Sequence, residues 1–409
     1  MPALNTFVTP RPRPGLIRFL GVLNRKFILP RWCRIQAVHM GASAEQRLQQ
    51  DMASGVPMIF VPNHPEYFTD WMLDKWVLDR IAPNMANWAD AGVVNGLGSS
   101  MQKFWLGNNL IAAVRGEESA KAIEYSIDWA CKGHGVLLHP EGSVNWDNEA
   151  VGSLFPGAAR MAIEAARRHP SGTAHLAPLA WYLRFQGDVE AELQNELTDL
   201  AERLSMILPA GNPAQRLTLM IQALVERVVR SHGLPARSPI MEIYDTRERL
   251  LQAVSLVAQV LVPSTWKLDM PMLLAMPPLV QAAFVAKRLR ETKLEQAVKA
   301  ANQLEALAKL DASSLSQTEL TQEQIAHRLR RIRQDWVRGK KLDVVARMAP
   351  RGVAKRDAHI AVAPRVVVTA QDTPEAVSAK VHAALVSALA EAKEQAARAR
   401  GQAIAHPIR

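Results

Sequence analysis

The sequence is poor in cysteine and contains no long apolar run. Only two cysteines occur in 409 residues, Cys33 and Cys131, so no disulfide framework is implied and a reducing compartment is expected. No window reaches about 18 uninterrupted apolar residues, which predicts that no helix spans a membrane. The N-terminus lacks the apolar core and small-residue cleavage site of a secretory signal. These absences predict a cytoplasmic protein.

Basic residues are in excess. The chain has 49 Lys and Arg against 39 Asp and Glu, a net charge of +10 and a pI near 9.8. Such a balance favours an anionic partner, either a phospholipid surface, a phosphorylated substrate or nucleic acid. No nucleic-acid-binding motif is present and the aromatic residues are not interleaved with the basic runs, so no nucleic-acid partner is expected. A hydrophobic content of 48% predicts a globular chain with one large or two smaller domains.

Strand and helix patterns alternate through residues 55–186, which predicts an α/β core with a mostly parallel sheet flanked by helices. Residues 1–54 are predicted to form basic amphipathic helices. The apolar residues of the first of these, Gly15–Leu29, fall on one face: Leu16, Leu20, Leu23 and Phe27. Such a helix is typical either of a membrane surface or of packing against a core, and both alternatives stay open.

Residues 187–356 show almost no strand signal and are predicted to form a large all-α insertion. Strand signal returns at Ala358–Val368, so residues 357–409 are expected to close the core with a strand and a final helix. Within the insertion, the helix Thr321–Arg338 has an apolar stripe among arginines. This pattern is typical of a solvated helix over a core or of an anionic membrane contact. The apolar stretch Leu250–Ala286 indicates lipid contact as a hypothesis.

The residues best suited to chemistry follow the apolar run Met58–Val61, a predicted buried strand. His64 comes just after this strand, and Asp70 comes just before a helix predicted over Trp71–Ile81. Strand carboxyl ends are where α/β sheets place reactive groups. A carboxylate beside a neutral imidazole fixes its tautomer, which equips the ring to deprotonate a hydroxyl. The alternative is a structural His64 with Asp70 as a helix N-cap.

Four segments resemble, in order, the motif blocks of the glycerophospholipid acyltransferase family, the PlsC-like acyltransferases. The first block is Asn63-His64 with Asp70, and the second is Arg115 at the end of an apolar run. The third and fourth blocks are His139-Pro140-Glu141-Gly142-Ser143 and Pro178 within an apolar strand. The resemblance covers roughly residues 55–187 and 357–395.

The resemblance implies transfer of a fatty acyl group from acyl-CoA or acyl-carrier-protein to a hydroxyl of a glycerol-phosphate or lysophospholipid-type acceptor. It implies His64 as general base with Asp70 as its partner, and no cofactor besides the thioester co-substrate. The residues implied in substrate binding are Asn63, Arg115, Glu141, Gly142 and Ser143. Backbone N–H groups of the 140–143 turn are expected to bind the oxyanion or an acceptor group. An anionic membrane surface is a further expected partner, with the protein peripheral on the cytoplasmic face.

Three departures from the family pattern bear on these expectations. Five residues rather than four separate His64 from Asp70, Val114 replaces an acidic residue, and Val144 replaces the arginine of the third block. The missing arginine weakens the expectation of a phosphate-bearing acceptor, because phosphate recognition relies on bidentate arginine. The rival hypothesis is a non-catalytic peripheral membrane protein that binds lipid with the same fold.

His139 stands where the family usually has an apolar residue. A structural role is expected, although an orientation toward the pocket stays open because Glu141 lies beside it. His134, His139 and Glu141 have no further ligand-type group at suitable spacing, so no metal site is expected.

Overall fold

The computed structural model describes residues 5–114, 117–142, 144–231, 286, 301–302, 320–337 and 349–399. The chain divides into two compact units: the first consists of Met1–Val189 and Val344–Ala405, and the second contains Glu190–Asp343. The second unit begins close to the predicted start of the insertion. Of the residues that follow position 337, those at 349–399 belong to the first unit, and the predicted bounds of the insertion stay predictions.

The strands of the first unit form one mixed sheet. They are β1 (Ile35–Met40), β2 (Met58–Pro62), β3 (Ala86–Asp90), β4 (Leu110–Ala113), β5 (Val136–Leu137), β6 (Thr173–Phe185), β7 (Arg356–Val362) and β8 (Val366–Thr369). Their order is β1-β7-β6-β2-β5-β3-β4, with β8 also paired to β6. β6 is antiparallel to β7 and β8, and the other pairs are parallel. The predicted α/β class with a mostly parallel sheet is confirmed.

Helices flank this sheet. The chain forms α1 (Pro14–Leu23), a π-helix (Asn24–Trp32), α2 (Ala42–Ala53), α3 (Phe68–Ile81), α4 (Ala91–Asn95), α5 (Ser99–Gly107), α6 (Glu117–Cys131) and α7 (Gly157–Arg168). The second unit contains α8 (Glu190–Arg203), α9 (Pro213–Ser231) and α10 (Gln322–Trp336), and α11 (Pro374–Arg398) belongs to the first unit. None of the described helices is long and apolar enough to cross a membrane.

Side chains of β2 alternate between the two faces of the sheet. Met58 and Phe60 pack in an apolar core with residues of α2 and α3. Ile59 and Val61 pack in a separate core with residues of α7 and α11. Because helices cover both faces, every residue of this strand is apolar, as is usual for parallel strands.

Two strand predictions need correction. β1 lies in the segment 1–54 that was predicted to be helical, and it is an edge strand parallel to β7. Its residues are mostly partly exposed, which gives a weak apolar pattern. The predicted strand Ala358–Val368 is two strands, β7 and β8, which the segment around Pro364 separates. Proline has no N–H to give to a ladder, so a break there is expected.

The predicted helix Gly15–Leu29 begins as α1 and continues as a π-helix. A π-helix bonds i to i+5 rather than i+4, so the buried face rotates where the pattern changes. Asn24 and Leu29 are buried as a result. Phe27, predicted on the same face as Leu20, is 54% exposed, whereas Leu20 is buried.

The arginines of α10 do not form the exposed basic surface that was predicted. Ile325, Leu329 and Ile332 are buried, which confirms the apolar stripe. Arg333 pairs with Glu196 at 2.8 Å and with Asp199 at 2.5 Å, and Arg330 is buried. The predicted helices at 246–261, 273–289 and 293–310 and the stretch Leu250–Ala286 lie outside the described residues, apart from helical positions at 286 and 301–302.

Candidate active site

His64 and Asp70 meet at the carboxyl edge of the sheet. His64 comes directly after Pro62 and Asn63 at the end of β2, as predicted. The helix α3 begins at Phe68, three residues earlier than predicted, with Tyr67 as its N-cap. Asp70 is therefore the third residue of the helix and not its N-cap.

Asp70 holds one edge of the His64 ring. Oδ2 of Asp70 lies 2.8 Å from Nδ1 of His64, although the spacing is one residue longer than in the family pattern. The same oxygen accepts the N–H of Glu66 at 2.7 Å, and Oδ1 accepts Nε1–H of Trp181 at 3.0 Å. Because an ionised carboxylate only accepts, Nδ1 of His64 carries its hydrogen and Nε2 has a free lone pair. Nε2 has no hydrogen-bond partner among the described residues.

The electrostatic surroundings keep His64 neutral. Burial lowers the pKa of His64 well below its usual value, and the charge of His139 lowers this pKa further. A hydrogen bond with the backbone of Glu66 has the opposite effect but is smaller. Burial raises the pKa of Asp70, followed by the charge of Glu66, while hydrogen bonds from the Glu66 N–H and Trp181 oppose that shift. A neutral imidazole at physiological pH is the state that accepts a proton.

A buried ion pair ties the loop after His64 to the closing strand. Glu66 points away from His64 and forms a bidentate pair with Arg356, the first residue of β7. Nη2 of Arg356 lies 2.7 Å from Oε2 of Glu66 and 3.1 Å from Oγ1 of Thr69. This pair positions the Glu66 N–H that donates to Asp70.

Glu141 and Asn63 hold the backbone around His64. Oε1 of Glu141 accepts the His64 N–H at 2.7 Å, and Oε2 accepts from Nδ2 of Asn145 at 2.7 Å and from the N–H of Gly152 at 2.8 Å. The amide of Asn63 exchanges two hydrogen bonds with the backbone of Trp181, at 3.1 and 3.0 Å. Both side chains are buried, so they position the site, and their predicted contact with an acceptor stays a prediction.

Gly142 closes the turn after β5. Its φ is +66°, and its N–H donates to the carbonyl oxygen of His139 at 3.1 Å. That N–H is therefore occupied within the turn, and the expected role of the turn's N–H groups stays a prediction. Arg115 and Ser143 lie outside the described residues, and their predicted binding roles stay predictions.

A substitution of Gly142 should destabilise this turn. In Gly142→Ala, the new Cβ would lie 2.7 Å from the ring of Phe155, and φ is in the left-handed region. We expect the free energy of unfolding to fall by about 1–2 kcal/mol from the backbone conformation alone, measured by urea denaturation. Gly157→Ala is the matched control, because its Cβ meets nothing within 4 Å and Gly157 opens α7. Equal stability of both variants would contradict the prediction.

Sequence reasoning missed three residues of this site: Asp74, Trp181 and Arg356. Asp74 lies one turn after Asp70 and contacts His139, with Oδ2 at 3.0 Å from Nε2. Two aspartates at i and i+4 lie on one helix face, and this spacing was the available signal. Trp181 and Arg356 gave no local signal, because their positions depend on strand pairing.

No protein-family model matches the chain, and a search of curated proteins finds no match. Among the residues that the structure describes, no group of three or more His, Cys, Asp or Glu is arranged to hold a metal ion. Fold and geometry together define an α/β protein with a partly buried His64 paired to a buried Asp70 at the carboxyl edge of its sheet.

Proposed function

We propose that the protein is an acyltransferase that moves a fatty acyl group from acyl-CoA or acyl-carrier-protein to a hydroxyl of a glycerol-phosphate or lysophospholipid-type acceptor. The observation that supports this most directly is the 2.8 Å contact between Nδ1 of His64 and Asp70, which leaves Nε2 without a partner among the described residues. Attack of a hydroxyl on a thioester needs such a base. The resemblance of the motif blocks supplies the substrate class.

The reaction proceeds in one displacement. Nε2 of His64 takes the proton of the acceptor hydroxyl while the oxygen of that hydroxyl bonds to the carbonyl carbon of the thioester. The C–S bond then breaks, and the leaving thiolate takes the proton back from His64. Asp70 stabilises the imidazolium that exists between these two transfers. No covalent enzyme intermediate is required, because the thioester is already activated.

The test is a substrate screen with the purified protein. Acyl-CoA and acyl-carrier-protein donors of several chain lengths are combined with glycerol 3-phosphate and with lysophospholipids, with and without a terminal phosphate. Mass spectrometry then detects acylated products. A product that wild type forms and His64→Ala does not form supports the proposal. No product from any pair, or equal product from the variant, overturns it.

A surface of the N-terminal helices supports a membrane partner. Exposed apolar and basic side chains lie together along α1 and the π-helix: Arg18, Phe19, Val22, Arg25, Lys26 and Phe27. Apolar side chains flanked by cations suit the interface of an anionic bilayer. The rival function, a non-catalytic lipid-binding protein, needs this surface but does not need His64.

Removing two phenylalanines from this surface should weaken membrane binding. Phe19 and Phe27 are 59% and 54% exposed, so Phe19→Ser/Phe27→Ser should leave folding intact. We expect binding to vesicles of anionic phospholipid to fall at least about tenfold, since burying one such side chain contributes about 1.5–3 kcal/mol. Cosedimentation at low and high salt measures this. Val386→Ser, also exposed but on α11, is the control, and unchanged binding of the double variant would refute the assignment.

A further inference from the structure

His139 stacks directly on His64. The ring centroids are 3.9 Å apart and the planes differ by 17°. His139 follows β5, which is the parallel neighbour of β2, so the two histidines come from adjacent strand ends. Stacking restrains the plane of the His64 ring from one face, while Asp70 contacts the ring edge at Nδ1.

Both nitrogens of His139 face acceptors. Nδ1 lies 2.9 Å from the carbonyl oxygen of Asn63, and Nε2 lies 3.0 Å from Oδ2 of Asp74. A carbonyl oxygen only accepts, so Nδ1 carries a hydrogen. An ionised carboxylate also only accepts, and Nδ2 of Asn87 approaches the same oxygen of Asp74 as a further donor at 3.5 Å. With Asp74 ionised, both contacts are satisfied only by a doubly protonated, positively charged His139.

The charges that face these rings favour a cation at His139. Four buried carboxylates come from the loop after β2, from α3 and from the turn after β5: Glu66, Asp70, Asp74 and Glu141. Arg356 of β7 pairs with Glu66 and is also near Asp70. The other three carboxylates have the two histidines beside them. Buried charges are retained when an opposite charge lies close to them.

The pKa of each ring shifts in the direction that this geometry favours. Burial lowers the pKa of His139, but the charge and hydrogen bond of Asp74, with smaller effects of Asn63 and Glu141, leave it raised. The pKa of His64 is lowered, in part by His139. Opposite environments therefore act on two rings in contact, which separates their protonation states.

We propose that His139, held in its charged form by Asp74, is a positioning residue that keeps the stacked His64 uncharged and in a fixed plane. This inference rests on the proposed function of His64 as the base. Asp70 and Asp74, one turn apart on α3, thus hold two stacked histidines in different charge states.

The first test is the pH dependence of kcat/KM for acyl transfer. Asp74→Asn removes the charge that holds the His139 cation and keeps the shape of the side chain, and His139→Phe replaces the ring itself. In both variants the acid limb of the profile should move to higher pH, because the cation beside His64 is lost. Asp79→Asn is the control, because Asp79 lies on the same helix but pairs with Lys75. This variant should leave the acid limb of the profile at the wild-type pH. A limb that stays at the wild-type pH in both test variants overturns the inference.

The second test is independent of activity. Long-range ¹H–¹⁵N correlation spectra of histidine-labelled protein report the hydrogen on each ring nitrogen, and the His139 signals are assigned by their loss in His139→Phe. We expect both nitrogens of His139 protonated at neutral pH, and one fewer hydrogen in Asp74→Asn. A neutral His139 in the wild type overturns the inference. If no acceptor gives a product, the proposed function fails while these spectra still decide the charge of His139. Because Asp74→Asn is nearly isosteric, it decides the question if His139→Phe does not fold.

Discussion

Replacing His64 with alanine is expected to lower kcat/KM for acyl transfer by about 10²–10⁴-fold, the usual contribution of a positioned general base. The loss follows from removal of Nε2, because the adjacent His139 has both of its ring nitrogens in contact with Asn63 and Asp74. Asp70→Asn should also impair the reaction, because the amide can donate to Nδ1 and so favour the tautomer with hydrogen on Nε2. Initial rates of thiol release from the acyl thioester measure both effects.

The controls separate chemistry from folding. His382→Ala removes a partly buried histidine of α11, outside the site, and should keep the wild-type rate. The wild-type rate should be level at neutral pH and fall only on the acid side, because a base is active when unprotonated and the pKa of His64 is lowered. Full activity of His64→Ala would remove the assignment of the base, and an unfolded variant would show in its circular dichroism spectrum.

The position of His64 was predictable because the apolar run before it is short, continuous and bounded by proline. Such a run is typical of a strand covered on both faces, and its end marks the carboxyl edge of the sheet. The pairing with Asp70 was not predictable from spacing alone. It depends on the start of α3 at Phe68, which is set by the loop Pro65–Tyr67 and not by the apolar pattern of the helix.

The residues that support the His64–Asp70 pair are brought to it by tertiary structure. Trp181 reaches Asp70 because β6 continues beyond the end of β2, and the strand lengths do not reveal this register. Arg356 contacts Glu66 across 290 positions of sequence. The edge strand β1 escaped prediction because its residues are mostly partly exposed. Each failure concerns long-range pairing, which local propensity does not encode.

Pro178 shows how topology resolves an apparent conflict in the sequence. A proline in an interior strand normally removes a ladder hydrogen bond. In β6, Thr173–Leu176 pairs with β8 and Leu179–Phe185 pairs with β7, so Pro178 lies where the partner strand changes. Its carbonyl still accepts the N–H of Ala363 at 3.1 Å. The missing N–H therefore falls in the gap between the two partners.

Replacing Arg356 with methionine is expected to lower the free energy of unfolding by about 3–5 kcal/mol, because it leaves Glu66 buried and unpaired. The two side chains are only 4% and 2% exposed, so water cannot replace the lost partner. Urea denaturation followed by circular dichroism measures the change. Glu66→Leu/Arg356→Met removes both charges and should recover much of the lost stability, since it leaves no uncompensated carboxylate.

The surface pair of Arg168 with Glu124 supplies the matched control for this loss. Arg168→Met makes the same substitution where both side chains are substantially exposed, and such pairs contribute only about 0–1 kcal/mol. Arg356→Met should also reduce acyl transfer in conditions where the variant is still folded. The ion pair fixes the loop whose Glu66 N–H donates to Asp70, so its loss loosens the partner of His64. Equal stability of Arg356→Met and Arg168→Met would show that the buried pair does not anchor this loop, and the link between the closing strand and the His64 site would then be wrong.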